Sequence, residues 1–127
     1  MPIIKPLLYS DGSNSFSDFL NELKEKHKNE RELYIKQLID IKDNFEIYGP
    51  QINQFGSKNS PPYKNLNTIY KGLGELRTKK CRYFIYNTGK NGVWIGLHGY
   101  EKQSNDIPKK EIKRAKEEIK LWKNLNK

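Results

Sequence analysis

Residues 81–100 leave this chain little choice but to build a β-hairpin. Cys81 to Asn87 is rich in Tyr, Phe and Ile, Thr88-Gly89-Lys90-Asn91-Gly92 has turn chemistry, and Val93 to Tyr100 returns as a second strand. Side chains alternate along a strand, so Arg82, Phe84 and Tyr86 share one face while Cys81, Tyr83 and Ile85 share the other. On the return strand Val93, Ile95 and Leu97 make the better core face. That leaves His98 and Tyr100, with Trp94 and Gly96, on the opposite one. Which face of the first strand joins His98 depends on a register that the residues alone leave open.

The segments on either side complete an α+β pattern. Ile3 to Tyr9 is a short apolar run closed by Ser10-Asp11-Gly12-Ser13, a strand and a turn. Ser15 is placed to cap a helix, with Asp18 in its first turn, and Phe16, Phe19, Leu20 and Leu23 fall on one helical face. Asn29 punctuates. Tyr34, Leu38, Ile41, Phe45 and Tyr48 then repeat the helical spacing until Gly49-Pro50 stops it. The polar stretch 51–65, with Ser60-Pro61-Pro62, reads as a connection that is mobile or covers a groove. Two glycines make Tyr70 to Arg77 a strand rather than a helix. Pro108 opens a last helix with Ile112, Ala115, Ile119 and Trp122 as its apolar stripe. The expectation is one domain over residues 1–127, an antiparallel sheet with an N-terminal helical hairpin and a C-terminal helix packed on one face.

Charge narrows the function. Residues 1–65 hold nine basic and nine acidic side chains, whereas residues 66–127 hold fifteen basic and six acidic ones. The net charge of +9 therefore belongs to the second half. Such a surface suits nucleic acid, an anionic membrane or an acidic protein, or is simply a solvated lysine-rich face. No run approaches the roughly 20 apolar residues of a membrane span, and the start is too short and interrupted for a signal peptide. One cysteine, Cys81, excludes an intrachain disulfide. The expected compartment is the cytoplasm.

Arg77, Arg82 and Lys102 are the residues that can surround a phosphate, because a guanidinium presents a permanently charged planar fork matching two phosphate oxygens. The competing reading makes the same charges edge-strand guards against aggregation. His98 can exchange a proton near neutral pH or be structural. Cys81 reads as a small core residue, and His27 as a surface or packing residue. Two separated histidines and one cysteine give no metal signature. Gly72-Leu73-Gly74 lacks the context of a nucleotide-binding loop.

Within this frame, residues 66–122 resemble the phage-derived, HigB-like branch of the RelE/ParE toxin superfamily. The matching residues are Gly72-Leu73-Gly74-Glu75-Leu76-Arg77, Cys81-Arg82-Tyr83-Phe84-Ile85-Tyr86, Leu97-His98-Gly99-Tyr100-Glu101-Lys102, Pro108, and Glu111-Ile112 with Ala115. The resemblance implies a RelE-like fold and a type II toxin that enters the ribosome and cuts mRNA, without metal or cofactor. The RNA 2′-hydroxyl attacks the adjacent phosphorus. By position it implies a catalytic set of Arg82, Lys102, Arg77, His98 and Glu75. An RNA-binding set of Tyr100, Lys79, Lys80, Lys109 and Lys110 accompanies it. After Lys102 this chain reads Gln103-Ser104-Asn105-Asp106-Ile107, where the family pattern is more basic.

The implied partners are a cognate antitoxin with a helix-turn-helix DNA-binding domain, in a toxin–antitoxin hetero-oligomer, and the ribosome with its mRNA. No membrane partner is implied. Two other classes stay open: a non-enzymatic ParE-like toxin that inhibits gyrase, and a phage-borne RNA-binding module.

Overall fold

The computed structural model describes residues 2–26, 29–56 and 61–126. His27 and Ser60 lie outside the described residues. The elements are β1 (Ile3–Pro6), α1 (Ser15–Lys26), α2 (Arg31–Tyr48), a 3-10 helix (Gly49–Phe55), β2 (Tyr63–Asn65), β3 (Leu73–Arg77), β4 (Cys81–Asn87), β5 (Val93–Glu101) and α3 (Lys109–Leu125). The α+β class, the helical hairpin and the C-terminal helix are as expected.

Three expectations need correction. The sheet has the order β1-β5-β4-β3-β2, and β1 joins β5 in parallel, so it is mixed rather than purely antiparallel. The connection 51–65 contains a strand, β2, paired antiparallel with β3. Finally, helices cover both faces. Phe19, Leu23, Leu38 and Phe45 of the α1–α2 hairpin pack against Ile4, Leu76, Tyr83, Ile85 and Trp94. On the opposite side Ala115 and Ile119 of α3 pack against Leu73, Phe84, Ile95 and Leu97. A sheet buried on both faces needs apolar residues at both alternating sets, and β4 and β5 carry them.

Local polar chemistry explains the boundaries. Asn14, not Ser15, caps α1: its Oδ1 accepts the Ser17 amide at 2.9 Å. The buried Ser15 hydroxyl instead donates to the Gly96 carbonyl at 2.9 Å, tying α1 to β5. Both sheet edges are also closed to further strands. On β1 the Ile4 amide donates to Glu46 Oε2 at 3.0 Å, and Pro6 has no amide to offer. On β2 the Asn53 side chain donates to the Tyr63 carbonyl at 2.8 Å and accepts its amide at 2.9 Å. Capped edges resist edge-to-edge pairing.

An irregularity in the hairpin decides the site. Tyr83 lies opposite Gly99 and Ile85 opposite Gly96, so Leu97 and His98 together face Phe84. One extra residue on β5 makes a bulge and breaks the alternation. Before it, a Cβ on Gly96 would meet the Tyr83 hydroxyl; after it, a Cβ on Gly99 would meet the Phe19 ring. Both glycines therefore face the helical hairpin, at contacts too close for any side chain. His98 thereby shares the α3-facing side with Ile95 and Leu97, which corrects its expected place on the opposite face.

Candidate functional site: a basic cleft at the end of the sheet

The turn from β3 to β4 assembles the site. Thr78 accepts the Cys81 amide on its Oγ1 at 3.0 Å and donates its own amide to the Cys81 carbonyl at 2.9 Å. This closes a tight loop that presents Lys79 and Lys80 to solvent. Arg77 and Arg82 stand directly opposite each other in the pair β3–β4. Across β4, Arg82 also stands opposite Tyr100. The Lys102 amide donates to the Lys80 carbonyl at 2.8 Å, which holds the end of β5 beside the turn.

These residues open onto a cleft of about 820 Å³. Among the described residues its walls include Arg77, Lys79, Lys80, Arg82 and Lys102, five basic side chains and no acidic one, with Thr78 and Gln103 beside them. Asn44 of α2 and, from the 51–65 connection, Ile52, Gly56, Pro61 and Pro62 form the far wall, so described residues of that connection border a groove. None of the described helices is long and apolar enough to cross a membrane. Among the described residues no three His, Cys, Asp or Glu side chains gather to hold a metal ion.

Under the cleft floor lies Glu75, 1% exposed. Its Oε1 is 3.7 Å from Arg77 Nε and 3.8 Å from Arg82 Nε, and its Oε2 accepts the Tyr100 hydroxyl at 2.9 Å. Burial raises the Glu75 pKa, opposed by the Tyr100 hydrogen bond and then by the charges of Arg82 and Arg77. The Tyr100 phenol is pushed up by burial and by the neighbouring Glu75 carboxylate. Arg82 is only 6% exposed. Its Nη1 donates to the Thr78 carbonyl at 2.5 Å and to the Cys81 carbonyl at 2.9 Å. Burial and the adjacent Arg77 lower its pKa, yet a guanidinium starting so high stays charged. Arg82 therefore braces the turn while contributing charge from below, and Arg77 and the three lysines form the open rim.

The expected site residues divide accordingly. Arg77, Arg82, Lys102, Lys79 and Lys80 come together, with Glu75 and Tyr100 beneath them. His98 does not join them. It is 2% exposed, and its Nδ1 bonds Glu118 Oε1 of α3. Its Nε2 lies 3.8 Å from Glu111 Oε1 and has no hydrogen-bond partner among the described residues. Lys109 and Lys110 are exposed on the first turn of α3, outside the cleft. Lys110 lines a separate groove of about 200 Å³ that also carries Glu22, Glu101 and Glu111. Tyr100 uses its hydroxyl on Glu75 and packs its ring 5.4 Å from Phe84, so it is a supporting group more than a free stacking surface. Thr78 was missed. A carbonyl that anchors an arginine leaves no mark on residue type.

The arrangement concentrates positive charge where water has access and buries the one balancing carboxylate. A phosphate entering the cleft would meet guanidinium and ammonium groups from three directions. The same geometry favours the extra negative charge of a pentavalent phosphorane. The family model described as Phage derived protein Gp49-like (DUF891) matches residues 18–120, and that span contains every residue of the cleft. No curated protein matches the chain.

Proposed function

Because the chain belongs to the phage-derived Gp49-like family, a family of RelE/HigB-like toxins, we propose that it is the toxin of a type II toxin–antitoxin system acting on RNA through the basic cleft. The observation that carries this reading is the convergence of Arg77, Lys79, Lys80, Arg82 and Lys102 on one open surface with no acidic side chain among them. In its specific form the reading is that of a HigB-like, ribosome-dependent mRNA endonuclease. The RNA 2′-hydroxyl oxygen attacks the adjacent phosphorus and gives up its proton to water. The bond from phosphorus to the 5′-oxygen breaks and that oxygen takes up a proton, leaving a 2′,3′-cyclic phosphate and a 5′-hydroxyl. Arg77 and Lys102 hold the phosphate and the charge that develops on it, with Arg82 adding field from the cleft floor. The antitoxin would carry a helix-turn-helix domain and cover the cleft.

Lys102→Ala is the informative variant, because Lys102 is exposed and its loss leaves the turn intact. Wild-type expression is expected to arrest growth and to create new mRNA 5′ ends within translated codons, and the variant to lose both. Arrest with no new 5′ ends would discard the endonuclease.

One observation favours a second reading. Among the described residues lining the cleft there is no histidine or carboxylate: His98 is buried against α3, and the Glu75 carboxylate already faces Arg77, Arg82 and Tyr100. A ParE-like toxin that binds gyrase without catalysis needs no such group. DNA-damage signalling with intact mRNA would select that reading.

A further inference from the structure

A second cleft, of about 660 Å³, opens at the other end of the α3-facing side. Its lining is Asn67, Tyr70, Lys71, Gly72, Tyr86, Asn87, Thr88, Gly89 and Lys123, again with no acidic side chain. The Tyr70 and Tyr86 rings stand 6.3 Å apart at 67°. The Lys123 ammonium donates to the Tyr70 hydroxyl at 3.2 Å, and lies 5.5 Å from the Tyr70 ring centre and 5.7 Å from that of Tyr86. The tyrosine hydroxyl and the electron-rich rings hold the ammonium in place and raise its pKa. Tyr86 is buried and backs the cleft, its ring 6.0 Å from that of Trp122. The half-buried Tyr70 ring, the held Lys123 ammonium, Lys71 and the amide side chains are therefore what the cleft offers a nucleobase with its phosphate.

One side of β4 supplies a side chain to each cleft. Arg82 and Tyr86 project to the same side of β4, separated by about 13 Å of strand. Along α3, Lys109, Lys113, Lys116, Lys120 and Lys123 recur at three- and four-residue steps and form one ladder. The ladder is about 21 Å long and ends at the second cleft, where Lys123 lines it. Arg77 and Arg82 of the first cleft and Tyr86 of the second stand on the same side of the sheet, and Lys123 of the α3 ladder lines the second, so one extended polyanion fits the two cationic clefts better than two unrelated ligands.

We propose that the Tyr70–Tyr86–Lys123 cleft is a second RNA subsite, which stacks a base of the single strand whose other end occupies the Arg77–Lys102 cleft. The subsite deepens the RNA-acting reading above and rests on it. It contributes affinity and strand path without sequence readout.

Binding of fluorescein-labelled single-stranded RNA of four and of twelve nucleotides tests the subsite, using wild type, Lys123→Glu, Lys71→Glu and Tyr70→Leu. Lys24→Glu on α1 serves as a control for net charge. Both charge reversals are at exposed positions, and thermal melts monitor folding. The subsite variants are expected to weaken twelve-nucleotide binding by about fivefold or more, to flatten its salt dependence, and to spare the four-nucleotide strand and the Lys24→Glu control. Equal affinity of variants and wild type for the longer strand would overturn the subsite while leaving the Arg77–Lys102 cleft standing. A loss shared by Lys24→Glu would reduce the effect to net charge and overturn it too. Failure of wild type to bind either strand would remove the RNA-acting reading and the subsite together.

Discussion

Glu75 and Glu118 are both buried carboxylates on the α3-facing side of the sheet, and their surroundings differ in one respect. Glu75 sits under two arginines and beside Tyr100, at the end of the sheet that α3 leaves open. Glu118 belongs to α3 itself and meets His98, the Tyr9 hydroxyl at 3.3 Å and, 3.9 Å away, Arg114. At the first place cations outnumber the carboxylate and the excess faces water. At the second, Glu111 and Glu118 of α3 meet His98, Arg114 lies beside Glu118, and the helix closes over the histidine. Ionisable strand residues thus face an open cleft where the helix stops short and make a packing contact with it where it does not.

The largest effect is expected from Arg82→Ala, which frees two carbonyls of the turn and removes one counter-charge from Glu75. A cost of about 3 kcal/mol in urea unfolding is expected, together with loss of toxicity. A fully stable, non-toxic variant would show that Arg82 does not brace the turn. His98→Ala comes next. It leaves the Glu118 carboxylate short of a partner and is expected to cost about 2 kcal/mol without altering RNA affinity. Weakened RNA binding at full stability would return His98 to the site and break the contrast drawn above.

A smaller effect belongs to Glu75 and pH. Its folded pKa lies above the ordinary carboxylate value, so the protonated form is the one that folding favours. The contribution of Glu75 to stability is fully present below the unfolded pKa and is lost as pH rises through the raised folded value. Relative to Glu75→Gln, the wild type should lose stability from about pH 4 upward in paired urea titrations. A difference that grows with pH would mean the two arginines outweigh burial. Smallest of all is Lys102→Ala, which should leave stability within about 0.5 kcal/mol while lowering the slope of log affinity against log salt by about 1. Cys81 should not react at all in the native state: it is 0% exposed and burial lifts its thiol to about 11. Labelling at neutral pH without unfolding would contradict that.

Much of the fold was readable because its signals are local. The spacing of Phe19 and Leu23, of Leu38 and Phe45, and of Ala115 and Ile119 marked three helices, and the Gly-rich turn before Val93 marked the hairpin. What escaped was set by distant partners. β2 forms because Asn53 grips Tyr63 on one side and β3 pairs with the strand on the other. β1 runs parallel to β5 because the helical hairpin returns the chain to the far edge. Which face of β4 joins which side was open in the residues, and both faces are core, because the α1–α2 hairpin and α3 take opposite sides.

Residue types alone therefore determined the helices, the hairpin and the basic character of the second half, since periodicity, turn chemistry and charge are properties of short stretches. They also brought Arg77 and Arg82 together, because a tight turn leaves little freedom in how the two strands pair. Only the tertiary structure decided which of these charges meet water. One extra residue at Leu97-His98 turned the histidine toward α3, and the length of α3 left the Arg77–Lys102 end open. Strand register and helix coverage are long-range packing outcomes. They separate a cationic cleft from a buried ion cluster built of similar residues.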